Sequence, residues 1–460
     1  MDKVHIRDFA GRHVHFIGIG GISMSGLAEI LLEKGYKVSG SDLQQSRLTK
    51  RLEDNGAIIY QGHNARNIEG ADLVVYTAAV KNDNPELMAA ADKNIPCMDR
   101  ATLLGQIMET FQFAIGVSGT HGKTTTTSML SIVMKHAGLD PTILVGGELD
   151  EIGGNVRTGQ SEYFITEACE YMDSFLKFHP YMAVILNIDS DHLDYFKDLD
   201  QIYSSFKKYA GLVPESGYVI GCGDDPLVSR LMKEVNCHTV SYGINQPADW
   251  MAKDITFDNS GCASFRAVNG TRDLGIFSLK IPGRHNVYNA LATIAACGIM
   301  GIPAETIRES IQKYGGTHRR FEVKGKTSNQ ATVVDDYAHH PTEIKATINA
   351  ALNYPHNRIW CVYQPHTYTR TKKLFNEFTQ AFNGVDFLIM ADIYAAREKN
   401  PGDISSGMLA DSISENGLKC LYMPEFDKIE EYIRQHSEPG DLIITMGAGD
   451  IYKVGDALLK

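Results

Sequence analysis

The sequence predicts an α/β protein of three domains, and three observations carry that prediction. The chain has 460 residues, more than one hydrophobic core usually serves. Twice, at residues 13–34 and 113–138, an apolar strand runs through a glycine-rich turn into a helix. Strand and helix patterns then alternate to the end of the sequence, with no repeat and no low-complexity linker.

Taken in order, residues 13–17 read as a strand, Gly18-Ile19-Gly20-Gly21 as a turn, 23–34 as a helix and 36–40 as a second strand, one βαβ unit. Strands at 58–60, 73–76 and 96–98 alternate with helical stretches such as 85–93, giving a doubly wound N-terminal domain over residues 1–109. A central domain, residues 110–315, opens on a strand at 113–117 and continues with strands at 163–166, 182–187 and 218–221. Between 249 and 281, short alternating segments with Asn-Ser-Gly and Asn-Gly turns predict a hairpin or small antiparallel sheet, and a helix over 286–300 follows. Residues 316–460 alternate again, with strands at 332–335, 358–363, 386–390 and 441–446, as a third α/β domain.

Composition narrows the function. The chain is 43% hydrophobic and 22% charged, the balance of an ordinary soluble protein. A formal charge of −12 argues against nucleic acid or an anionic membrane as the main partner, and points to a small ligand. Eight cysteines include no C-x-x-C pair and read as reduced. Residues 1–14 are charged and carry no apolar signal region, and no later run reaches the length of a membrane span, so the expected compartment is the cytoplasm.

The most specific chemistry lies in Gly119-Thr120-His121-Gly122-Lys123-Thr124-Thr125, between the strand at 113–117 and a helix. Backbone N–H groups and a helix N-terminus there face phosphates, Lys123 neutralises β/γ oxygens, and the Thr124 hydroxyl suits Mg2+. The strict eight-residue phosphate-loop pattern needs glycine at 117, where this chain has Val117, so the loop is a shorter variant. The first glycine turn, with Asp42 downstream, is a weaker signal. Its third fingerprint position is Ser23, and Gly26 comes three residues later, so nicotinamide, another diphosphate-bearing ligand and a structural turn all remain open.

Acids end two strands of the central domain: Glu167 and Glu170, and then Asp189, Asp191 and Asp194 around His192. Strand ends in open α/β sheets bind ligands, so these read as metal or substrate contacts, with solvated loops as the alternative. Asn286 and Asn289 open a helix where capping accounts for one asparagine and not two. Arg319-Arg320 lies at the junction of the second and third domains, within reach of a phosphate or simply as a basic surface pair. His339-His340 lacks a third-ligand pattern for a transition metal.

In order, the 119–125 loop, His285-Asn286-x-x-Asn289, Arg319-Arg320-Phe321, Asp335-Asp336-Tyr337-x-His339-His340-Pro341 and Gly447-Ala448-Gly449-Asp450 resemble the Mur ligases over essentially the whole chain. The segment from His15 to Gly26 and the histidine in the phosphate loop look like the alanine-adding branch of that family. The resemblance implies a Rossmann-like N-terminal domain that holds the UDP of a sugar nucleotide on Gly18, Gly20, Gly21, Ser23 and Asp42. It implies a P-loop ATPase-like central domain for ATP and Mg2+, and a Rossmann-like C-terminal domain that binds the amino acid and closes over the nucleotide. ATP would be framed by Gly119, Thr120, His121, Gly122, Lys123, Thr124 and Thr125, with Asn286, Asn289, Arg320 and Asp336.

By the same resemblance Lys123, Glu167 and His192 are catalytic, Thr124 and Glu167 serve one Mg2+ and His192 a second near the substrate carboxylate, and Tyr337, His339 and Arg370 line the amino-acid pocket. The implied activity is ATP-dependent amide formation between UDP-N-acetylmuramate and L-alanine in peptidoglycan precursor synthesis, by a monomer or weak homodimer, without nucleic-acid or membrane partners. This chain departs from the family pattern twice. Many relatives have Glu-Ala-Asp-Glu where it has Glu167-Ala168-Cys169-Glu170, leaving open which glutamate ligates metal, and many have arginine in place of Thr367, which makes Arg370 the main candidate for the amino acid's carboxylate.

Overall fold

The computed structural model describes residues 4–77 and 79–460; the first three positions of the charged N-terminal stretch lie outside the described residues. Among the described residues the chain forms three sheets, of five, ten and six strands. The first contains β1 (His13–Ile17), β2 (Lys37–Asp42), β3 (Ile58–Gln61), β4 (Leu73–Tyr76) and β5 (Cys97–Asp99), in the order β3-β2-β1-β4-β5. All its pairings are parallel. The chain reverses direction across the sheet at β1, so the glycine turn after β1 opens at the switch point where such sheets bind ligands.

The central sheet contains β6 (Phe113–Ser118), β7 (Thr142–Leu149), β8 (Gly154–Arg157), β9 (Tyr163–Glu167), β10 (Met182–Ile185), β11 (Tyr218–Cys222), β12 (His238–Gly243), β13 (Trp250–Phe257), β14 (Cys262–Asn269) and β15 (Arg272–Pro282). Its order is β15-β14-β13-β12-β11-β10-β6-β9-β7-β8. β6 pairs in parallel with both β9 and β10, so the loops that leave these three strands emerge together at one edge. The antiparallel strands expected from the Asn-Gly turns are present as β13 to β15, but they extend this sheet rather than forming one of their own. β12 would otherwise expose an unpaired edge, and Tyr242 and Gly243 pair with Trp250 and Met251 to cover it. Helices Lys123–His136 and His285–Ile299 pack together on one face.

The third sheet contains β16 (Glu322–Lys326), β17 (Thr332–Asp336), β18 (Ile359–Tyr363), β19 (Phe387–Met390), β20 (Cys420–Tyr422) and β21 (Leu442–Met446), in the order β16-β17-β21-β18-β19-β20. Only the edge strand β16 pairs antiparallel. Strands such as Ile359–Tyr363 are buried at every position, which is why they read as unbroken apolar runs.

One apolar cluster runs from Leu27 and Met108 of the first unit into Phe164, Phe175 and Tyr209 of the second. Gly26 sits at this join, and a side chain on it would collide with Leu144. This glycine of the helix Ile22–Glu33 is therefore favoured by packing against the neighbouring domain. The third domain keeps its own clusters around Ile344 and Phe378, and around Trp360 and Ile443. No described helix is long and apolar enough to cross a membrane.

Candidate active site

The phosphate loop has the shape its glycines predict. Gly119 and Gly122 take φ of +135° and +85°, and a Cβ on Gly122 would lie 2.6 Å from the Asn289 side-chain oxygen. Asn187 staples the loop, accepting the His121 N–H at 2.8 Å and donating to the His121 carbonyl at 3.0 Å. The helix N-terminus after Gly122 has no side-chain cap, which leaves first-turn N–H groups for an anion. Lys123 Nζ donates to the carbonyls of Gly119 and Thr120, at 2.5 and 3.1 Å, and pairs with Glu170 at 3.1 Å. Burial works to lower the lysine pKa, but the Glu170 carboxylate, only 2% exposed, outweighs it and keeps the ammonium charged.

A cleft of about 460 Å³ opens beside the loop, within the range of small-molecule sites. Of the residues expected around a nucleotide, His121, Gly122, Thr125, Asn286, Asn289, Arg320 and Asp336 line it. Neither asparagine caps the helix. Asn286 donates to the Pro282 carbonyl at 2.7 Å and Asn289 to the Asn286 side chain at 2.9 Å, while Thr126 donates to Asn289. Together they fasten the helix Lys123–His136 to the helix His285–Ile299. Arg320 reaches from the third domain to the Thr124 hydroxyl at 3.3 Å. Burial raises the Asp336 pKa to about 6, although it accepts N–H groups from Phe321 and Ala338.

The same cleft holds residues the sequence reading missed. Asp224 accepts backbone N–H groups from Ile244, Asn245 and Gln246 at 2.7–2.9 Å and the Tyr288 hydroxyl at 2.9 Å. Its signal was available, since Asp224-Asp225-Pro226 follows β11 at a strand end. Glu343 also lines the cleft, and it belongs to a network centred on the phosphate-loop histidine.

His121 bonds to Asp189 and to Glu343, each at 3.2 Å, so the imidazole bridges the second and third domains. Burial by itself lowers an imidazole pKa, but these two carboxylates hold His121 up at about 9. Its stabilising effect is fully present below the unfolded value near 6.5 and is lost as pH rises through 9. Thermal denaturation from pH 6.5 to 9.5 is expected to show a loss on the order of 3 kcal/mol, and His121→Asn to flatten that dependence. His121, Asp189 and His340 cluster closely enough to suggest a metal. However, the Thr342 N–H donates to His340 Nδ1 and Nε2 bonds to the Ser190 carbonyl, so both ring nitrogens are committed.

Around the expected metal position, Glu167 accepts the Gly146 N–H at 2.7 Å through one oxygen. Glu170 is committed to Lys123, and His192 Nε2 lies 3.7 Å from it. Burial opposes protonation of His192, but Asp191, Cys169 and Glu170 raise its pKa.

Three expected binding residues are engaged within the protein. Arg370, 9% exposed, places Nε and Nη2 on Asp191 at 3.0 and 2.9 Å and Nη1 on His366 at 3.0 Å, so it is a buried interdomain pair and not a free carboxylate anchor. Tyr337 carries the guanidinium groups of Arg319 and Arg320 over its ring, their carbons 4.9 and 5.0 Å from its centre. Arg319 holds Asp335 and the carbonyls of Gly447 and Gly449, a structural role. His339 bonds to the Tyr337 carbonyl through Nδ1, and burial lowers its pKa to about 4, so the ring is neutral.

In the first domain, Asp42 is turned onto its own loop, accepting the Gly20 and Gln44 N–H groups at 2.9 and 3.2 Å, which leaves it less free for a ribose than expected. Gly18 has φ +81°, and Gly21 precedes a helix with no side-chain cap, so Ser23 and its neighbours present an open helix N-terminus. Leu43, next to Asp42 in the chain, is an exposed apolar side chain, 68% accessible.

A dinucleotide-type sheet, a phosphate loop and a third α/β domain reaching over it with Arg320 and Asp336 define a multidomain, nucleotide-dependent enzyme. The family description "Mur ligase family, catalytic domain" matches residues 13–112, "Mur ligase middle domain" 117–297 and "Mur ligase, glutamate ligase domain" 319–449. The chain belongs to the Mur ligase family and is a ligase. It is 57% identical to a UDP-N-acetylmuramate--L-alanine ligase of Acetivibrio thermocellus, over 98% of this chain and 96% of that protein. A UDP-N-acetylmuramate-alanine ligase, MurC, from Thermotoga maritima has a similar structure, with TM-score 0.84, 28% identity, and 97% and 98% of the two chains covered. A murein peptide ligase, mpl, from Psychrobacter arcticus aligns with TM-score 0.75 and 26% identity over the same shares.

Proposed function

We propose that this enzyme joins L-alanine to the carboxylate of UDP-N-acetylmuramate at the expense of ATP, in the cytoplasmic synthesis of peptidoglycan precursors. The observation that carries the reading is the 57% identity to an enzyme of that name over almost the whole chain, with a phosphate loop at the centre of the site. Residues 1–109 would hold the sugar nucleotide at the open N-terminus after Gly21, residues 110–315 the ATP, and residues 316–460 the amino acid. The enzyme would act as a monomer or weak homodimer.

The donors present fit Mg2+. The second Glu167 oxygen has no partner among the described residues, the Thr124 hydroxyl lies in the first turn after the loop, and hard oxygen ligands are what this ion takes. Thr124 and Glu167 would hold it, His192 would serve a second ion near the substrate carboxylate, and bound there the ions would neutralise phosphoryl charge.

Amide formation from a carboxylate in water is uphill, so the carboxylate must be activated. Its oxygen attacks the γ-phosphorus of ATP, ADP leaves, and an acyl phosphate forms; the amine then attacks the acyl carbon, phosphate departs and the nitrogen sheds a proton. Lys123 and the first-turn N–H groups offset charge on the transferred group, and positioning supplies much of the rest. Arg320, Asp336 and Glu343 bring the third domain over the cleft, which excludes water from the acyl phosphate. Phosphate release with ATP, Mg2+, UDP-N-acetylmuramate and L-alanine, omitting each in turn, tests the reading: release should require all four. A tripeptide accepted in place of alanine would move it to a peptide-adding ligase.

A further inference from the structure

We propose that Arg397 holds the carboxylate of the incoming amino acid. The inference rests on the ligase reading and names the acceptor site within it. An α-amino acid carries a carboxylate that must be kept away from the acyl centre while the amine, two bonds from the carboxyl carbon, is presented to it. A guanidinium with free donors close to the phosphate loop meets that need.

Arg370 cannot do so without breaking its buried pair with Asp191, 7% exposed, and its bond to His366. Thr367 offers no charge, and its hydroxyl instead accepts the Arg370 N–H at the start of helix Tyr368–Lys373. Arg397 is in the opposite situation. Its side chain is 47% exposed, and its one hydrogen bond among the described residues is a long one, 3.5 Å from Nη2 to Asp194, whose same oxygen already accepts the Tyr171 hydroxyl at 2.9 Å. Most of its five N–H donors are therefore free.

The guanidinium is nevertheless held in place. Its carbon lies 4.4 Å from the Tyr171 ring centre. The segment that carries it is tied to the end of β18 by Tyr394 N–H to the Pro365 carbonyl at 2.8 Å and Thr367 N–H to the Tyr394 carbonyl at 2.9 Å. Glu398 accepts the Thr369 N–H at 2.9 Å from the far side. The other face of the arrangement points back to the chemistry: the Tyr171 ring lies 4.7 Å from that of His192, and His192 adjoins Glu170, the partner of Lys123. The Tyr171 and His192 rings thus connect Arg397 to the Glu170–Lys123 pair of the phosphate loop, with the neutral His366 and His339 rings, 5.7 Å apart, on the third-domain side.

The test is steady-state kinetics of Arg397→Ala and Arg397→Lys with all three substrates, with L-alaninamide as an acceptor that lacks the carboxylate. Arg397→Ala is expected to raise KM for L-alanine about 10- to 100-fold, to leave KM for ATP and UDP-N-acetylmuramate within about twofold, and to abolish the preference for alanine over alaninamide. Arg397→Lys is expected to recover part of that preference, which a merely structural role would not produce. An unchanged alanine KM with retained discrimination would overturn the assignment, while wild type remained an alanine ligase. A rise confined to the sugar nucleotide would overturn it in favour of the other substrate carboxylate. Wild-type enzyme that uses no amino acid would overturn the ligase reading and this site with it.

Discussion

Lys123→Ala is expected to lower turnover by about 10³-fold or more, roughly 4 kcal/mol of transition-state stabilisation, while UDP-N-acetylmuramate still binds with its wild-type affinity. The two readouts separate because the open helix N-terminus after Gly21 and the phosphate loop belong to different sheets. A complication follows from Glu170. It is 2% exposed and paired with Lys123, so removing the ammonium strands a buried carboxylate, and breaking a buried pair from one side costs about 3–5 kcal/mol. The companion variant Lys123→Ala/Glu170→Gln removes that charge and should recover much of the stability without recovering turnover. Calorimetric binding of the sugar nucleotide and phosphate release, measured on both variants, check this. Turnover near wild type in either would remove Lys123 from the chemistry.

The fold was legible where a strand is buried on both faces. Leu442–Met446 is buried at all five positions, so its apolar run is continuous. β7 was not, because Gly146 and Gly147 interrupt it. Those glycines are there for the site: a Cβ on Gly146 would lie 2.8 Å from the Glu167 carboxylate oxygens, and one on Gly147 would lie 2.9 Å from Thr317. A strand that must let side chains approach its backbone loses the pattern by which strands are recognised. The fused antiparallel edge was half legible. Its turns could be read locally, but which strand it would extend depends on pairing between Tyr242 and Trp250 that no local signal announces.

In the site, the phosphate loop was readable because its spacing is local and its glycines answer to backbone geometry. Arg370, Tyr337 and Asp42 show the limit. Sequence reveals that a charged or aromatic side chain lies near a strand end, and says nothing of the partner that folding brings to it. Arg370 meets Asp191 from 179 residues away, and Tyr288 meets Asp224 across 64. A side chain engaged in this way must exchange its partner before it can take a ligand. An arginine left half-exposed with unused donors, such as Arg397, is identified only when the rest are accounted for.

The way the third domain is attached leads to the other large effect. The apolar cluster that joins the first two domains stops short of the third, which takes Leu193 of the central domain against its own core but otherwise meets that domain around the cleft through polar contacts such as His121 with Glu343, Thr342 with Asp189, Arg320 with Thr124 and Arg370 with Asp191. Polar contacts can be exchanged for water at small net cost, so such an interface can open for substrates and close for chemistry. The Arg370–Asp191 pair is the exception, since both partners are nearly excluded from solvent and the arginine holds the Asp191 pKa well below its usual value against the effect of burial. Asp191→Ala leaves a guanidinium buried without a counter-charge, and the expected cost is about 3–5 kcal/mol, seen as a lowered melting temperature. Asp191→Leu/Arg370→Met, which removes both charges and fills the space, should regain most of it, because a buried pair need be no more stable than apolar groups of similar volume. If Asp191→Ala melted like wild type, the pair would contribute nothing to stability in solution.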